Sequence, residues 1–138
     1  MKFVRVATAA LALWAAGCSE IPDQAAAQGF AAIDGAYASD VKPAGASYTQ
    51  CRYGFVSSRH VVRCGISFGG TELAQVGYWE IETQGDAFVV FAMNGKALSA
   101  LDRITRPGSL SSAAYPGAFQ SGRGRAPLDI AKVNEIIR

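Results

Sequence analysis

Residues 76–95, VGYWEIETQGDAFVVFAMNG, carry the clearest strand pattern in this 138-residue chain. Two runs rich in aromatic and β-branched residues flank Gly85-Asp86, a pair suited to a two-residue hairpin turn with glycine first. Because successive side chains of a strand point to opposite faces, such a turn decides which residues share a face. We expect the more apolar face to form part of the core. Its predicted cross-strand pairs are Thr83 with Phe88, Ile81 with Val90, and Trp79 with Ala92.

The opposite face of this hairpin mixes acidic and apolar side chains. Two carboxylates on one side of a strand can perform acid–base chemistry if burial or crowding shifts a pKa. We interpret the pair as solvated strand residues, since no second functional group can be assigned to it. The apolar strip beside it is either covered by another segment or open to a partner. The candidate partner-binding residues on this face are Tyr78, Glu80, Glu82, Val89 and Phe91.

The N-terminus has the layout of an export signal. A basic start precedes an uncharged, mostly apolar run over residues 6–17, which is too short to cross a bilayer. The small residues of AAGC, residues 15–18, resemble the lipobox of bacterial lipoproteins. That resemblance implies a signal peptide over residues 1–17, a lipid on Cys18 and the bilayer as a partner. The same resemblance implies the outer membrane rather than the inner one, because Ser19, and not an aspartate, follows the cysteine. An ordinary secretory signal is the alternative.

The segment CRYGFVSSRHVVRC predicts an earlier hairpin that begins and ends with a cysteine. Cys51 and Cys64 lie symmetrically about Ser57-Ser58, so a turn there makes them cross-strand partners within disulfide reach. An exported chain enters an oxidising compartment, where such a bridge persists. We therefore predict a Cys51–Cys64 disulfide, which leaves Cys18 for lipid.

Helical periodicity follows the second hairpin. KALSALDRIT, residues 96–105, places Leu98, Leu101 and Ile104 on one stripe that should pack on the core face. PLDIAKVNEIIR, residues 127–138, reads as a short amphipathic helix with Ile130, Val133, Ile136 and Ile137 along one side, and we expect it to cover the remaining apolar strip. The predicted fold class is α+β: a small antiparallel sheet of about four strands in two hairpins, with a helix packed on one face and a short C-terminal helix.

Changes in composition and periodicity along the sequence divide the chain into four parts. Residues 1–17 are the lipoprotein signal peptide. Residues 18–46 are the lipidated cysteine and a flexible tether, because they are rich in Ala, Gly and Asp, lack strong periodicity, and would reach about 30 Å. Residues 47–105 are the disulfide-stapled antiparallel β domain with one helix. Residues 106–138 are a Gly/Pro/Ser-rich loop and the C-terminal amphipathic helix.

Composition excludes several classes of function. Removing the two basic residues of the signal peptide takes 13 basic residues to 11, against 11 acidic ones, so the mature chain is formally neutral and gives no argument for nucleic-acid binding. No nucleotide, phosphate or metal motif is present in the sequence, and we predict no cofactor, metal or catalytic residue. A metal site of Cys51, His60 and Cys64 lacks a fourth ligand. A small envelope hydrolase that uses the single histidine is a minor alternative.

The leading functional hypothesis is a membrane-anchored, periplasm-facing lipoprotein. It would act as a non-catalytic binding or accessory module of an envelope complex or of an exported protein. Arg123 and Arg125, in the linker before the last helix, complete the candidate partner-binding set. The alternative is a structural lipoprotein that contacts the cell wall or membrane surface through its basic C-terminal tail, since residues 103–138 hold six Lys or Arg against two acids.

Overall fold

The computed structural model describes residues 21–138, so the predicted signal peptide and Cys18 lie outside the described residues. Within that range, a five-stranded sheet has the order β1-β2-β3-β4-β5. The first four strands are antiparallel neighbours, and β5 pairs with β4 in parallel. The strands are β1 Tyr48–Val56, β2 Arg59–Ser67, β3 Ala74–Gln84, β4 Ala87–Ala92 and β5 Phe119–Ser121. The predicted α+β class is confirmed.

Helices pack on both faces of this sheet. In chain order they are α1 Gln24–Ala36, continued by a π-helical turn Tyr37–Val41, then α2 Gly95–Ile104, α3 Leu110–Ala114 and α4 Ile130–Ile136. We call the face under α1 and α2 the core face and the opposite face the outer face. No helix in residues 21–138 is long and apolar enough to cross a membrane.

The two hairpins have the registers that their turns predict. Ser57 and Ser58 form the first turn with positive φ angles of 50° and 62°, the conformation of a two-residue turn whose twist suits the strands. Serine is an uncommon choice there, because left-handed backbone costs a residue with a Cβ about 1–2 kcal/mol. The confirmed pairs are Cys51 with Cys64, Tyr53 with Val62, Phe55 with His60, Thr83 with Phe88, Ile81 with Val90 and Trp79 with Ala92.

The prediction of a flexible tether was wrong for residues 24–41, which form α1 and the π-helical turn. Asp23 caps α1 by accepting a hydrogen bond from the Ala26 amide at 3.1 Å, as aspartate commonly does. The helix packs very close to the sheet: a Cβ on Gly29 would lie 2.7 Å from Ile81 Cγ2. Small residues therefore form the buried face, and their low hydrophobic contrast hides the helical period. The buried positions are Ala25, Ala26, Gly29, Ala32, Ile33 and Ala36.

The core joins this N-terminal segment to the central strand. Tyr37 is 1% exposed, and its hydroxyl accepts a hydrogen bond from Trp79 Nε1 at 3.0 Å. Burial raises the pKa of Tyr37 to about 12, although the bond from Trp79 opposes the shift. The helix predicted over residues 96–105 is confirmed as α2. Of its predicted stripe, Ile104 is buried on the core face, whereas Leu98 and Leu101 are half-buried at the edge of the core.

Residues 106–126 also contain more structure than the predicted loop. Helix α3 begins at Leu110, where Asp40 accepts hydrogen bonds from the main-chain amides of Leu110 and Ser111 at 3.2 and 3.0 Å. Strand β5 then adds a parallel edge to the sheet, with Val90 opposite Phe119. Short elements of five and three residues are too brief to give a period in the sequence.

Candidate functional site on the outer face

The outer face carries every sequence-predicted partner-binding residue of β3 and β4. Strand alternation brings Glu80 opposite Phe91 and Glu82 opposite Val89. The β2–β3 pairing extends these rows of cross-strand neighbours onto the first hairpin. There Val61 lies opposite Glu80, and Arg63 lies opposite Tyr78. One surface therefore combines both hairpins, and the sequence alone did not align them.

The C-terminal residues 122–138, which we call the strap, cross this face. Val133 and Ile137 of the strap are 1% and 2% exposed and pack against Val56, Val61 and Tyr78. The prediction that the last helix covers the apolar strip is confirmed at Tyr78, against which Val133 and Ile137 pack. The predicted helix stripe was partly wrong, because Ile130 and Ile136 are 37% and 49% exposed. A Cβ on Gly54 would lie 2.6 Å from Ile137 Cγ1, so a glycine is needed under the strap.

Glu80 is buried, at 5% exposure, and two arginines neutralise it. Arg59 donates to it through Nε, and through Nη2 at 3.0 Å. Arg125 donates through Nε at 2.9 Å and Nη2 at 2.8 Å. Burial by itself would raise the pKa of Glu80, but these hydrogen bonds outweigh it and hold the pKa below its ordinary value of 4.5. The interpretation of Glu80 as a solvated strand residue was wrong.

Arg59 and Arg125 also tie the strap to the sheet. Arg59 donates to the main-chain oxygens of Ala126 at 2.7 Å and Pro127 at 3.0 Å. Arg125 pairs with Glu82 through Nη1 at 2.8 Å, and its Cζ lies 3.9 Å from the centroid of the Phe91 ring, a cation–π distance. We call Arg59, Glu80, Glu82 and Arg125 the ion cluster.

These contacts decide which predicted residues can meet a partner. Tyr78 is 8% exposed and donates through its hydroxyl to Asn134 Oδ1 at 2.8 Å, so Tyr78 and Glu80 are held inside the protein. What stays open is a groove of about 210 Å³ along β3 and β4. Its lining includes the half-buried Val89 and Phe91 and the exposed Glu82, which we call the open strip. The remaining lining residues, at the hairpin end, are Thr83, Gln84, Ala87 and Phe88.

Arg123 of the strap is exposed, unlike Arg125. Arg59 and Asn134 were missed by sequence reasoning. Arg59 belongs to the first hairpin and Glu80 to the second, so their contact depends on a β2–β3 register that local turns do not set. Nothing in the pattern of the strap signals that Asn134 would meet a strand.

The predicted Cys51–Cys64 disulfide is present, with the two Cα atoms 4.1 Å apart. It joins β1 to β2 next to the pair Arg52 and Arg63. Disulfides persist in oxidising compartments, so the bridge favours an extracytoplasmic location.

The single histidine lies at the end of the sheet that carries both hairpin turns. His60 Nδ1 lies 2.6 Å from the Tyr53 hydroxyl, and His60 Nε2 lies 3.7 Å from an Asp23 carboxylate oxygen. No serine, threonine or cysteine side chain makes a hydrogen bond to His60 in the described part of the chain. Among residues 21–138, no group of three or more His, Cys, Asp or Glu side chains could hold a metal ion.

Comparisons with protein-family models, curated proteins and solved structures found no match to this chain, so its function has to be argued from its own residues.

Proposed function

We propose that the chain is a lipid-anchored module facing the periplasm, which binds a protein of the cell envelope or an exported protein and catalyses no reaction. The AAGC sequence at residues 15–18 supports the anchor. The Cys51–Cys64 disulfide supports export. The open strip supports binding, and it is the observation on which the proposal depends.

The open strip is a preformed apolar surface with a charged rim. Phe91 is fixed between the sheet and the guanidinium of Arg125, and Arg125 is in turn fixed by Glu80 and Glu82. Aromatic and arginine side chains are common energetic centres of protein interfaces. A strip held rigid by an ion cluster also loses little conformational entropy when a partner docks.

A charge placed in the strip should test this proposal. Val89→Asp puts a carboxylate beside Glu82 in the open groove, whereas Phe68→Asp makes the same charge change at a residue that is 52% exposed outside the strip. Crosslinking in intact cells, followed by affinity purification and mass spectrometry, should recover a partner with wild type and Phe68→Asp. Recovery should fall at least tenfold with Val89→Asp. Equal recovery from all three proteins contradicts the proposed binding surface, provided that thermal unfolding shows all three folded.

The structured N-terminal segment shortens the reach of the proposed anchor. Asp23 is held by Thr83 at 3.3 Å, and only four residues separate Asp23 from Cys18 in the sequence. Five Cα steps span at most about 18 Å. The module would therefore work close to the membrane, rather than at the end of a 30 Å tether. Intact mass of the membrane fraction should show a chain that begins at Cys18 with added acyl mass, and a soluble product cut elsewhere would contradict the anchor.

A structural role through the basic tail is the second candidate. Part of that positive charge is used inside the protein, because Arg125 pairs with Glu80 and Glu82 and Arg103 donates to the Val41 oxygen at 3.0 Å. Arg123 and Lys132 remain exposed. Co-sedimentation with purified cell-wall sacculi should be weak for wild type and unchanged by Arg123→Gln with Lys132→Gln. Strong, charge-dependent sedimentation would favour the structural role instead.

A further inference from the structure

A second cleft lies on the outer face, beside the strap and away from the open strip. Its floor is formed by β1 and β2, one wall by the strap and the other by the loop between β2 and β3. Its volume is about 550 Å³, within the 300–1,000 Å³ that is usual for small-molecule sites.

Three arginines line this cleft, and we call Arg52, Arg63 and Arg138 the arginine cluster. Arg52 and Arg63 are direct cross-strand partners on the same face. Like charges placed opposite one another destabilise a sheet. The neighbouring Cys51–Cys64 disulfide keeps the two strands paired at this position. The fold therefore holds two arginines opposite one another on neighbouring strands, at a cost in stability.

The donors of these arginines are only partly used. Arg52 Nη1 donates to the main-chain oxygen of Arg138 at 2.8 Å, and Arg63 Nη1 donates to Asn134 Oδ1 at 2.9 Å. Each of these hydrogen bonds uses one N–H group, and a guanidinium has five N–H donors. Over residues 21–138, the ion pairs closer than 4.0 Å involve Arg59, His60 and Arg125, and none involves the arginine cluster. Glu72 is the one acidic side chain among the described residues that line the cleft.

We propose that this cleft binds a small organic ligand through a phosphate group. Three guanidiniums beside one acidic side chain suit an anionic group, such as a phosphate monoester, which carries about two negative charges near neutral pH. The planar fork of arginine matches phosphate oxygens with paired hydrogen bonds. Leu73 and Val76 line the same cleft and would contact the organic part of the ligand. This site is distinct from the open strip and does not depend on the lipid anchor.

The test uses the full chain with Cys18→Ser, which cannot be acylated. Inorganic phosphate and glycerol 3-phosphate are titrated by calorimetry and by thermal unfolding, with glycerol and sodium chloride at matched ionic strength as controls. Both phosphates should bind and raise Tm by several degrees beyond the salt control, with glycerol 3-phosphate the tighter ligand. Arg63→Gln should weaken binding at least tenfold, and thermal unfolding of the unliganded variant checks that it remains folded. Arg106→Gln, the same change at an exposed arginine outside the cleft, should bind like wild type.

Vesicles separate two sources of the phosphate group. Phosphatidic acid displays a phosphate monoester at a lipid surface, whereas phosphatidylcholine does not. Binding to phosphatidic acid vesicles that depends on Arg63 assigns the site to a lipid headgroup, and binding of the free phosphates alone assigns it to a soluble ligand. The proposal is overturned if neither phosphate binds, or if Arg63→Gln binds both as tightly as wild type.

Discussion

The outer face holds two groups of arginines that the fold treats in opposite ways. In the ion cluster, Arg59 and Arg125 share one buried carboxylate and fix the strap to the sheet. In the arginine cluster, Arg52 and Arg63 are cross-strand partners, and neither donates to an acidic side chain. Arginine therefore stabilises the fold in the ion cluster and lowers its stability in the arginine cluster. Residue type alone does not separate a structural arginine from a binding one, whereas the position of the nearest carboxylate does.

The largest expected effect concerns the bond that holds the arginine cluster together. Replacing both Cys51 and Cys64 by alanine should lower the free energy of unfolding by about 3 kcal/mol, because a closed loop of this length restricts the unfolded chain. Denaturant titration measures the loss. Alkylation of the unreduced wild-type protein should leave both thiols unlabelled. An unchanged free energy of unfolding in the double variant would mean that the disulfide does not stabilise the hairpin.

Breaking the ion cluster should have the next largest effect. Glu80→Gln should cost about 2 to 3 kcal/mol, somewhat below the 3–5 typical of a fully buried pair, because the side chains of Arg59 and Arg125 are 23% and 30% exposed. Glu82→Gln makes the same chemical change at a side chain that is 58% exposed and should cost no more than about 0.5 kcal/mol. Denaturant midpoints compare the two. Equal losses would show that the ion cluster is not organised around Glu80.

The same residue predicts how stability depends on pH. The folded-state pKa of Glu80 is lower than its unfolded value near 4.5, so its contribution is fully present above that value. It is lost as the pH falls through the lower folded-state pKa. Below about pH 4.5, the free energy of unfolding should therefore fall more steeply with decreasing pH in wild type than in Glu80→Gln. An equal fall in the two proteins would contradict the assigned direction of the pKa shift.

Loosening the strap should affect both halves of the outer face at once. Ile137→Ala removes a side chain that is 2% exposed and should cost about 2 kcal/mol, at the lower end for isoleucine because a chain end can relax. The adjacent Ile136→Ala, at 49% exposure, is the matched control and should change stability by less than about 0.5 kcal/mol. Thermal unfolding distinguishes them. A strap that stands free in solution would make both substitutions neutral.

The smallest expected effect comes from giving the arginine cluster an acidic side chain, as the ion cluster already has. Arg63→Glu turns the like-charge pair with Arg52 into an opposite-charge pair, which is worth about 0.5 kcal/mol, but it also removes the hydrogen bond to Asn134, which is worth about 1 kcal/mol. The net loss of stability should therefore be no more than about 0.5 kcal/mol. Arg106→Glu makes the same charge change at an exposed position outside the sheet and controls for net charge. A net loss of more than about 1 kcal/mol on Arg63→Glu alone would show that Arg52 and Arg63 do not repel one another.

Sequence reasoning succeeded where contacts are local. Two-residue turns at Ser57-Ser58 and Gly85-Asp86 set both hairpin registers, the cysteine pairing and the division between core and outer faces. It failed for α1, because a helix face made of alanine and glycine has little hydrophobic contrast, although that same smallness allows the close approach at Gly29. It also treated Glu80 and Glu82 as equivalent, since both occupy the same face of one strand.

The sequence by itself determined each hairpin, the disulfide, the α2 stripe and the resemblance of the N-terminus to a lipobox. Only the tertiary structure decided that β2 pairs with β3 in a register that places Arg59 beside Glu80. It also decided that the strap covers one half of the outer face and places Arg138 in the same cleft as Arg52 and Arg63. A turn constrains residues a few positions apart, so its consequences can be read along the chain. Contacts across 21 to 86 residues depend on which surfaces fit when all the elements pack together, and no local pattern records that fit.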